Sequence, residues 1–421
     1  MTLYRLFVSL LFFPILLLLL MRRFRGEETW HQIAQRLGLS SVPTDKAVHQ
    51  LWVHAASNGE LNSVMPLLDQ LRQDYSDFAM IITCNSLSGV ELAREHGYTA
   101  QLAPLDFSWS VQRFLKSKVI SAHVMIESEI WPNRLHLLHD TSVPCMLIGA
   151  RLSYGSARKW ARFGFITKNT LAKLKYVSAQ DAVSKDRFLS LGVRPEATGI
   201  TFNLKGLFQA KQPVLSRQSR AAVCLAASTH PKEDELILEA YKSARQTWPE
   251  LRMVIAPRHP KRAADIATAI SADGFGYYLR SEGHAFDSDR EDVFLADTLG
   301  EMDKWYALCG ICIIGGTFQD YGGHTPYEPA AYGCALIHGP QVDNFRSEFD
   351  MLVASQASQN CENAQSLSHA ILLLKDAATQ EQQAQKAPMA LNTRGDSVGA
   401  GIHELRDTIS EILHTVERIR S

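Results

Sequence analysis

The chain has 421 residues, 46% of them hydrophobic and 21% charged, with a formal net charge of −1. That length allows two or three domains; the composition excludes a disordered chain, and the charge balance excludes a generic polyanion binder. The seven cysteines are odd in number and lack framework spacing, which argues against a disulfide scaffold and for a reducing compartment.

An apolar run opens the chain at residues 6–21, interrupted only by Ser9 and Pro14. As one helix it measures about 24 Å, against a hydrocarbon core of ~30 Å. A start at Leu3, with Arg5 snorkelling, closes the difference. Arg22, Arg23 and Arg25 follow where a cleaved signal peptide would carry small residues, so residues 1–25 read as a retained membrane anchor. The basic excess after the run places the rest of the chain on the cytoplasmic side. Spanning the bilayer and lying within one leaflet both fit. Residues 30–39 predict a short amphipathic basic helix beside the membrane.

From residue 50 onward, short apolar runs alternate with helical patterns. The predicted strands are 50–53, 79–83, 122–126, 145–148 and 176–179, then 222–226, 252–255, 292–295, 311–314 and 335–337. A helix is predicted at 61–75, where Leu61, Val64, Leu68 and Leu71 share a face. This alternation predicts an α/β chain of two Rossmann-like domains with covered parallel sheets. The first domain reads as 26–205, a polar linker with Pro213 as 206–218, and the second domain as 219–400. A terminal amphipathic helix follows at 401–421, with Ile402, Leu405, Ile409, Ile412 and Leu413 on its apolar face. Ligands of open α/β sheets sit beyond strand carboxyl ends. Chemistry is therefore expected at strand ends, with the two domains facing across a cleft.

His54-Ala-Ala-Ser-Asn-Gly-Glu60 follows the first strand. Ser57 and Glu60 have capping-box spacing, with Glu60 reaching back to the cap N–H; the other reading is a cleft carboxylate acting as general base. Glu127-Ser-Glu-Ile-Trp-Pro-Asn133 puts two carboxylates at a strand end, either a surface loop or a site, because carboxylates are rarely buried unpaired. Ser228-Thr-His-Pro-Lys-Glu233 starts a helix with Thr229 as expected cap. His230 is left over, at what would serve as an anion site. Arg258, His259, Lys261 and Arg262 follow Pro257 as positive charge fit for a phosphate, or as solvated loop charge. The segment Gly315–Glu328 carries two Gly-Gly pairs, the second being Gly322 and Gly323, and passes through His324 into a helix. Thr325 is its expected cap, Pro326 its first residue and Glu328 its third. Glycine N–H groups and a helix N-terminus suit a phosphate, while Glu328 suits ribose hydroxyls or capping. Cys309 and Cys312 sit in an apolar run and read as core thiols. Asp287 and Asp289 precede a strand rather than follow one, so no metal site is expected there.

Taken in order, these segments resemble the 3-deoxy-D-manno-octulosonic acid (Kdo) transferase family of Gram-negative lipopolysaccharide synthesis. The family pattern runs W-x-H-x-x-S-x-G-E, E-T-E-x-W-P-N, A-R-L-S, G-N-L-K, S-T-H-x-x-E, P-R-H-P-E-R, G-D-T-M-G-E and G-G-x…G-G-H-N-P-L-E. Its counterparts here begin at Trp52, Glu127, Ala150, Asn203, Ser228, Pro257, Ala296 and Gly315. Departures include Asn58 for Val, Ser128 for Thr, Leu299 for Met, Thr325 for Asn, and Gly206-Leu207 for Phe-Asp.

The resemblance implies a GT-B glycosyltransferase, two Rossmann-like domains facing across a cleft, with CMP-Kdo as donor and a lipid A precursor of the lipid IVA type as acceptor. Glu60 would be the general base, with Glu127 and Lys205 supporting the transition state. Pro257, Arg258, Leu299, Gly300, Glu301, Thr325, Pro326, Tyr327 and Glu328 match CMP-sugar-binding positions. Ser228, Thr229, His230, His259, Gly322, Gly323 and His324 are further candidates for donor or phosphate contact. No cofactor and no metal are implied, since CMP-Kdo is a substrate, and no nucleic acid. Cytoplasmic-membrane lipids are the remaining expected partner, with the enzyme held at the inner membrane by its anchor. The competing readings are a GT-B enzyme using another nucleotide sugar, and an inactive membrane-tethered nucleotide-binding scaffold.

Overall fold

The structure is a computed structural model that describes residues 1–39, 49–75, 78–208, 210, 212–391 and 395–420. The side chains of Leu3 and Leu413, both used in the sequence analysis, lie outside the described ones. The chain divides into two compact units, Met1–Leu207 with Arg394–Ser421, and Phe208–Thr393.

The first unit holds six parallel strands: β1 (Gln50–His54), β2 (Ala79–Cys84), β3 (Thr99–Leu102), β4 (Ile120–Ile126), β5 (Cys145–Ala150) and β6 (Tyr176–Ala179). Their order is β3-β2-β1-β4-β5-β6. The second holds seven: β7 (Val223–Thr229), β8 (Arg252–Pro257), β9 (Tyr277–Leu279), β10 (Val293–Leu295), β11 (Ile311–Ile314), β12 (Ala335–His338) and β13 (Ser358–Asn360), in the order β13-β12-β11-β7-β8-β10-β9. Every predicted strand is present. The three that periodicity missed, β3, β9 and β13, are all sheet edges of three or four residues. Edge strands carry one neighbour and need no continuous apolar run.

Burial follows the parallel-sheet rule: β1, β4 and β5 are buried at every position. One layer of the first core joins Leu61, Val64, Leu68 and Leu71 of the Asn58–Asp74 helix to Val53, Ile82 and Val124. Leu405, Ile409 and Ile412 of the last helix, Gly395–Arg420, fill the same layer. The division at residue 400 drawn from sequence therefore differs from the structure. The last helix starts at Gly395 and returns to the first unit, where Glu404 also accepts hydrogen bonds from the Tyr176 hydroxyl (3.1 Å) and the Ile200 N–H (2.6 Å). All seven cysteines are buried and unpaired, Cys309 and Cys312 among them.

The N-terminal run is not the single helix expected. It forms two helices, Thr2–Leu10 and Phe12–Phe24, bent by 42° at Leu11. Pro14 explains the break, because it has no N–H for the Leu10 carbonyl and its ring crowds that turn. Among the described residues no single helix is long and apolar enough to cross a membrane, though the bent pair is when taken together. The helix expected at 30–39 is Trp30–Arg36, fixed by a reciprocal Thr29–Gln32 capping box. Its Arg36 does not face outward as a basic surface; it is buried against the Glu28 carboxylate at 2.8 Å.

Candidate active site

In each unit the strand order reverses next to the first strand, at β1/β4 in one and at β7/β11 in the other. Open α/β sheets bind ligands at such switch points. Both loops that leave these strands carry chemistry.

In the first unit, β1 runs into Ala55-Ala56-Ser57 and the Asn58–Asp74 helix. Half of the expected capping box forms: the Ser57 hydroxyl accepts the Glu60 N–H at 3.3 Å. The other half does not, because the Glu60 carboxylate accepts the Ala56 N–H at 2.7 Å instead of the cap's own. Burial raises the Glu60 carboxyl to about 7, with the nearby charges of Glu127 and Glu129 adding to the rise and the Ala56 N–H and Lys205 opposing it. A carboxyl near neutrality at a strand end is poised to exchange a proton.

At the end of β4, Glu127 adopts a left-handed backbone with φ 54°. Such a conformation costs a non-glycine residue on the order of 1–3 kcal/mol and clusters at functional sites. Its carboxylate lies 3.5 Å from the Lys205 ammonium. Two residues on, Glu129 turns toward β1, where one of its oxygens meets the His54 Nε2 (3.1 Å), the Trp131 indole N–H (2.8 Å) and the Asn85 amide (3.3 Å). Burial works to raise Glu129, but the hydrogen bonds from His54 and Trp131 and the Arg134 charge win and hold it at about 2. His54 is driven down to about 4 by burial and by Arg134, against the opposing pull of Glu129 and the Thr83 carbonyl. Arg134 is itself buried, 4.9 Å from the Trp52 ring. Below it, Asp106 accepts the Asn133 and Arg134 N–H groups at 3.0 and 2.8 Å, closing the start of the Pro132–Asp140 helix. Sequence reasoning named Glu60, Glu127 and Lys205, and the structure brings these three together. It missed the support made by His54, Glu129, Trp131 and Asp106, although the W-x-H and E-x-W spacings carried its first three members.

In the second unit, Ser228 also takes a left-handed backbone, φ 58°, where β7 slips register against β8. Thr229 does not cap the following helix. Its hydroxyl is buried and donates to Asp234 at 2.6 Å, and the Glu233–Thr247 helix starts from Lys232. Arg262 is bound to Asp234 and to the Thr229 carbonyl. Arg258 and His259 are left exposed at the end of β8, while Pro257 is buried within it.

The glycine loop is committed differently from the sequence expectation. Glu233, fully buried, accepts the N–H groups of Gly316 (2.8 Å), Phe318 (2.9 Å) and His230 (2.8 Å). The Gly323 N–H goes to the Gly316 carbonyl (2.7 Å) and that of His324 to Gly315 (3.2 Å). These N–H groups hold the loop together and do not await a phosphate. Glycine is required because Gly316 sits at φ 70° and a Cβ on Gly315 would fall 2.5 Å from the Ser228 carbonyl oxygen. Asn344 fixes the second pair, donating to the Gly323 carbonyl (3.3 Å) and, from its N–H, to that of Gly322 (2.8 Å). The loop thereby brings His324 to His230, Nε2 to Nε2 at 2.9 Å, with Tyr321 stacked on His230 at 4.0 Å. Burial holds both histidines below their ordinary value, His324 at about 4.

The short helix that follows is Tyr327–Ala331, so Pro326, not Thr325, stands at the cap; the Thr325 hydroxyl accepts the Tyr327 N–H at 3.4 Å. Pro326 and Tyr327 are buried, while Thr325 and Glu328 are half-buried. In the Leu299–Glu301 turn, Leu299 is exposed and Gly300 has φ 83°. Glu301 is already engaged by Arg280 through a forked pair at 2.9 Å, and that pairing and Thr298 hold its carboxyl below the usual range.

A further surface of the first unit is unlike the rest. The Tyr154–Arg162 helix, just after Ala150-Arg151-Leu152-Ser153, has no buried residue. Tyr154, Phe163 and Phe165 are exposed beside Arg158, Lys159, Arg162 and Lys168, and no acidic residue occurs between Arg151 and Gln180.

The family model for 3-deoxy-D-manno-octulosonic-acid transferase (kdotransferase) matches residues 31–207. A 3-deoxy-D-manno-octulosonic acid transferase of Bordetella pertussis is 31% identical over 354 residues, covering 80% of this chain and 82% of the relative. That of Haemophilus influenzae is 29% identical over 340 residues, covering 77% and 78%. Among solved structures, a UDP-N-acetylglucosamine 2-epimerase described as putative, from Listeria monocytogenes, superposes with a TM-score of 0.58 at 10% identity, over 84% of this chain and 97% of its own. That likeness concerns the fold, which is the two-domain GT-B architecture. With strand-end motifs, switch-point geometry and relatives in agreement, the chain belongs to the 3-deoxy-D-manno-octulosonic acid transferase family of glycosyltransferases.

Proposed function

We propose that the chain transfers Kdo from CMP-Kdo to a lipid A precursor of the lipid IVA type, with inversion, at the inner face of the cytoplasmic membrane. The observation that carries this reading is Glu60: a carboxyl raised to about 7, at the switch point, beside the Glu127–Lys205 pair. In this reading Glu60 takes the proton of the acceptor hydroxyl as that oxygen attacks the anomeric carbon, and the bond to CMP breaks. CMP leaves as a phosphate anion, so it needs positive charge and not a proton. Arg258, exposed at the end of β8, and the neighbouring His259 supply donors on the second unit. The Leu299–Glu301 and Thr325–Glu328 segments line the same side of that sheet's carboxyl ends and are the candidates for the nucleotide. Lys205 and Glu127 serve the charge that develops at the sugar.

The acceptor reading draws support from the acid-free, aromatic and basic stretch 151–180, which suits an anionic lipid surface. The test is transfer from CMP-Kdo, generated in situ, to a tetraacylated lipid A precursor, with products weighed by mass spectrometry. Product heavier by one or more Kdo units is expected. Glu60→Ala should lower turnover at least 10²-fold, the usual scale for a general base, while CMP binding measured by calorimetry stays intact. Turnover unchanged in that variant would remove Glu60 as the base, and preferential binding of UDP or GDP over CMP would favour a different donor.

A further inference from the structure

The N-terminal helix pair has two unlike faces. Along one, contacts with the first unit run nearly its whole length. The Tyr4 hydroxyl donates to Asp106 at 2.9 Å. Phe12 meets the rings of Phe107 and Trp109 edge-on at 5.6 and 5.9 Å. Leu19, 3% exposed, packs with Ile33 and Leu37, and Arg22 reaches the buried Glu28 carboxylate at 3.1 Å. Along the other face Leu6, Phe7, Leu10, Phe13, Leu17 and Phe24 are 59–82% exposed. From Phe7 onward they fall three, four or seven residues apart, which makes one continuous apolar stripe across the bend.

These facts conflict with a spanning helix. A span would carry Tyr4 to the far side of ~30 Å of hydrocarbon, while Asp106 stays with the domain whose Pro132–Asp140 helix it caps. The two helices, 9 and 13 residues long, measure only about 14 and 20 Å. We propose that the N-terminal pair is an in-plane anchor: its inner face is clamped to the first unit, its outer stripe lies in one leaflet, and the chain does not cross the bilayer. The occupant of the stripe is a lipid surface, because apolar side chains exposed along the pair end at Arg23 and Arg25, where anionic headgroups would lie. This inference rests on the membrane location proposed above and not on the transfer reaction.

The test fuses a short hydrophilic tag carrying one cysteine ahead of Met1, and compares it with Ser190→Cys, an exposed site on the first unit. The native thiols are all buried and do not compete. A membrane-impermeant maleimide is applied to intact spheroplasts and to inside-out vesicles. Both cysteines should label from the same side and only from that side, in protein that sediments with membranes. Labelling of the tag and Ser190→Cys from opposite sides would overturn the in-plane anchor, and protein found in the soluble fraction would overturn the lipid occupant. Neither readout depends on catalysis, so a failed transfer assay leaves this result distinct.

Discussion

Burial raises the Glu60 carboxyl to about 7, and this links reactivity to stability at one residue. As a base Glu60 must be ionised, so kcat/KM should fall about tenfold per pH unit below 7 and level off above it. The stability effect runs the other way. A carboxyl raised above its unfolded value of about 4.3 contributes stability below that pH and loses it as pH climbs through 7. Glu60→Gln should therefore stabilise the fold at pH 8 by up to about 3–4 kcal/mol, the rise from 4.3 to about 7 taken at about 1.4 kcal/mol per pH unit, and have little effect at pH 4; urea unfolding at the two pH values checks this. Glu129 has the opposite sign, being held at about 2 by His54, Trp131 and Arg134 against its own burial. Trp131→Phe removes one donor to that carboxylate and should cost about 1.5–3 kcal/mol at neutral pH. Acid should shrink the cost as pH approaches 2. At this scale the sequence was half legible. Glu60 showed itself as a helix-start residue because capping is local. The meeting of His54 with Glu129 depends on β1 lying beside β4, a pairing no local pattern specifies.

Elements were read more fully than their junctions. Buried strands declare themselves as apolar runs, and all ten predicted ones formed; β3, β9 and β13 formed without being foreseen, because an edge strand such as Ser358-Gln-Asn360 buries little and shows no such run. The glycine loop shows the same limit. Its glycines were visible, but the acceptor of their N–H groups, Glu233, lies 83 residues away from Gly316 in sequence. Pro14 was visible as well, and its consequence, two helices in place of one, follows from the missing N–H alone. Asp106 ties several of these pieces together, since it caps the Pro132–Asp140 helix that carries the E-x-E-x-W-P-N motif into the core. Asp106→Ala should lower stability by at least ~1–2 kcal/mol, the worth of a cap, measured by urea unfolding. It should also lower kcat more than KM if the motif loop loosens.

For the molecule as a whole, the division into units is not a division of the chain into halves. The second unit has its own seven-stranded sheet and its own cores, whereas the first takes Leu405, Ile409 and Ile412 from the end of the chain. Burying three such side chains contributes roughly 5–9 kcal/mol, as much as the whole stability of an ordinary domain. Residues 208–393 expressed alone should therefore fold, with cooperative thermal unfolding by circular dichroism. Residues 1–207 alone should aggregate or remain molten, and recover a cooperative transition when the segment 394–421 is supplied in trans. A stable, cooperative 1–207 would show that the last helix is dispensable.

The return of that helix also sets an order of events during synthesis. Translation from residue 207 to residue 421 takes on the order of 10–40 s, and only when Gly395–Arg420 has left the ribosome can it close the first core. The unit encoded second is thus complete before the unit encoded first. Throughout that interval the nascent chain presents an apolar N-terminal pair and an unfinished core together, so early capture of the pair by lipid would shelter the part of the newborn enzyme with the longest wait for its last piece.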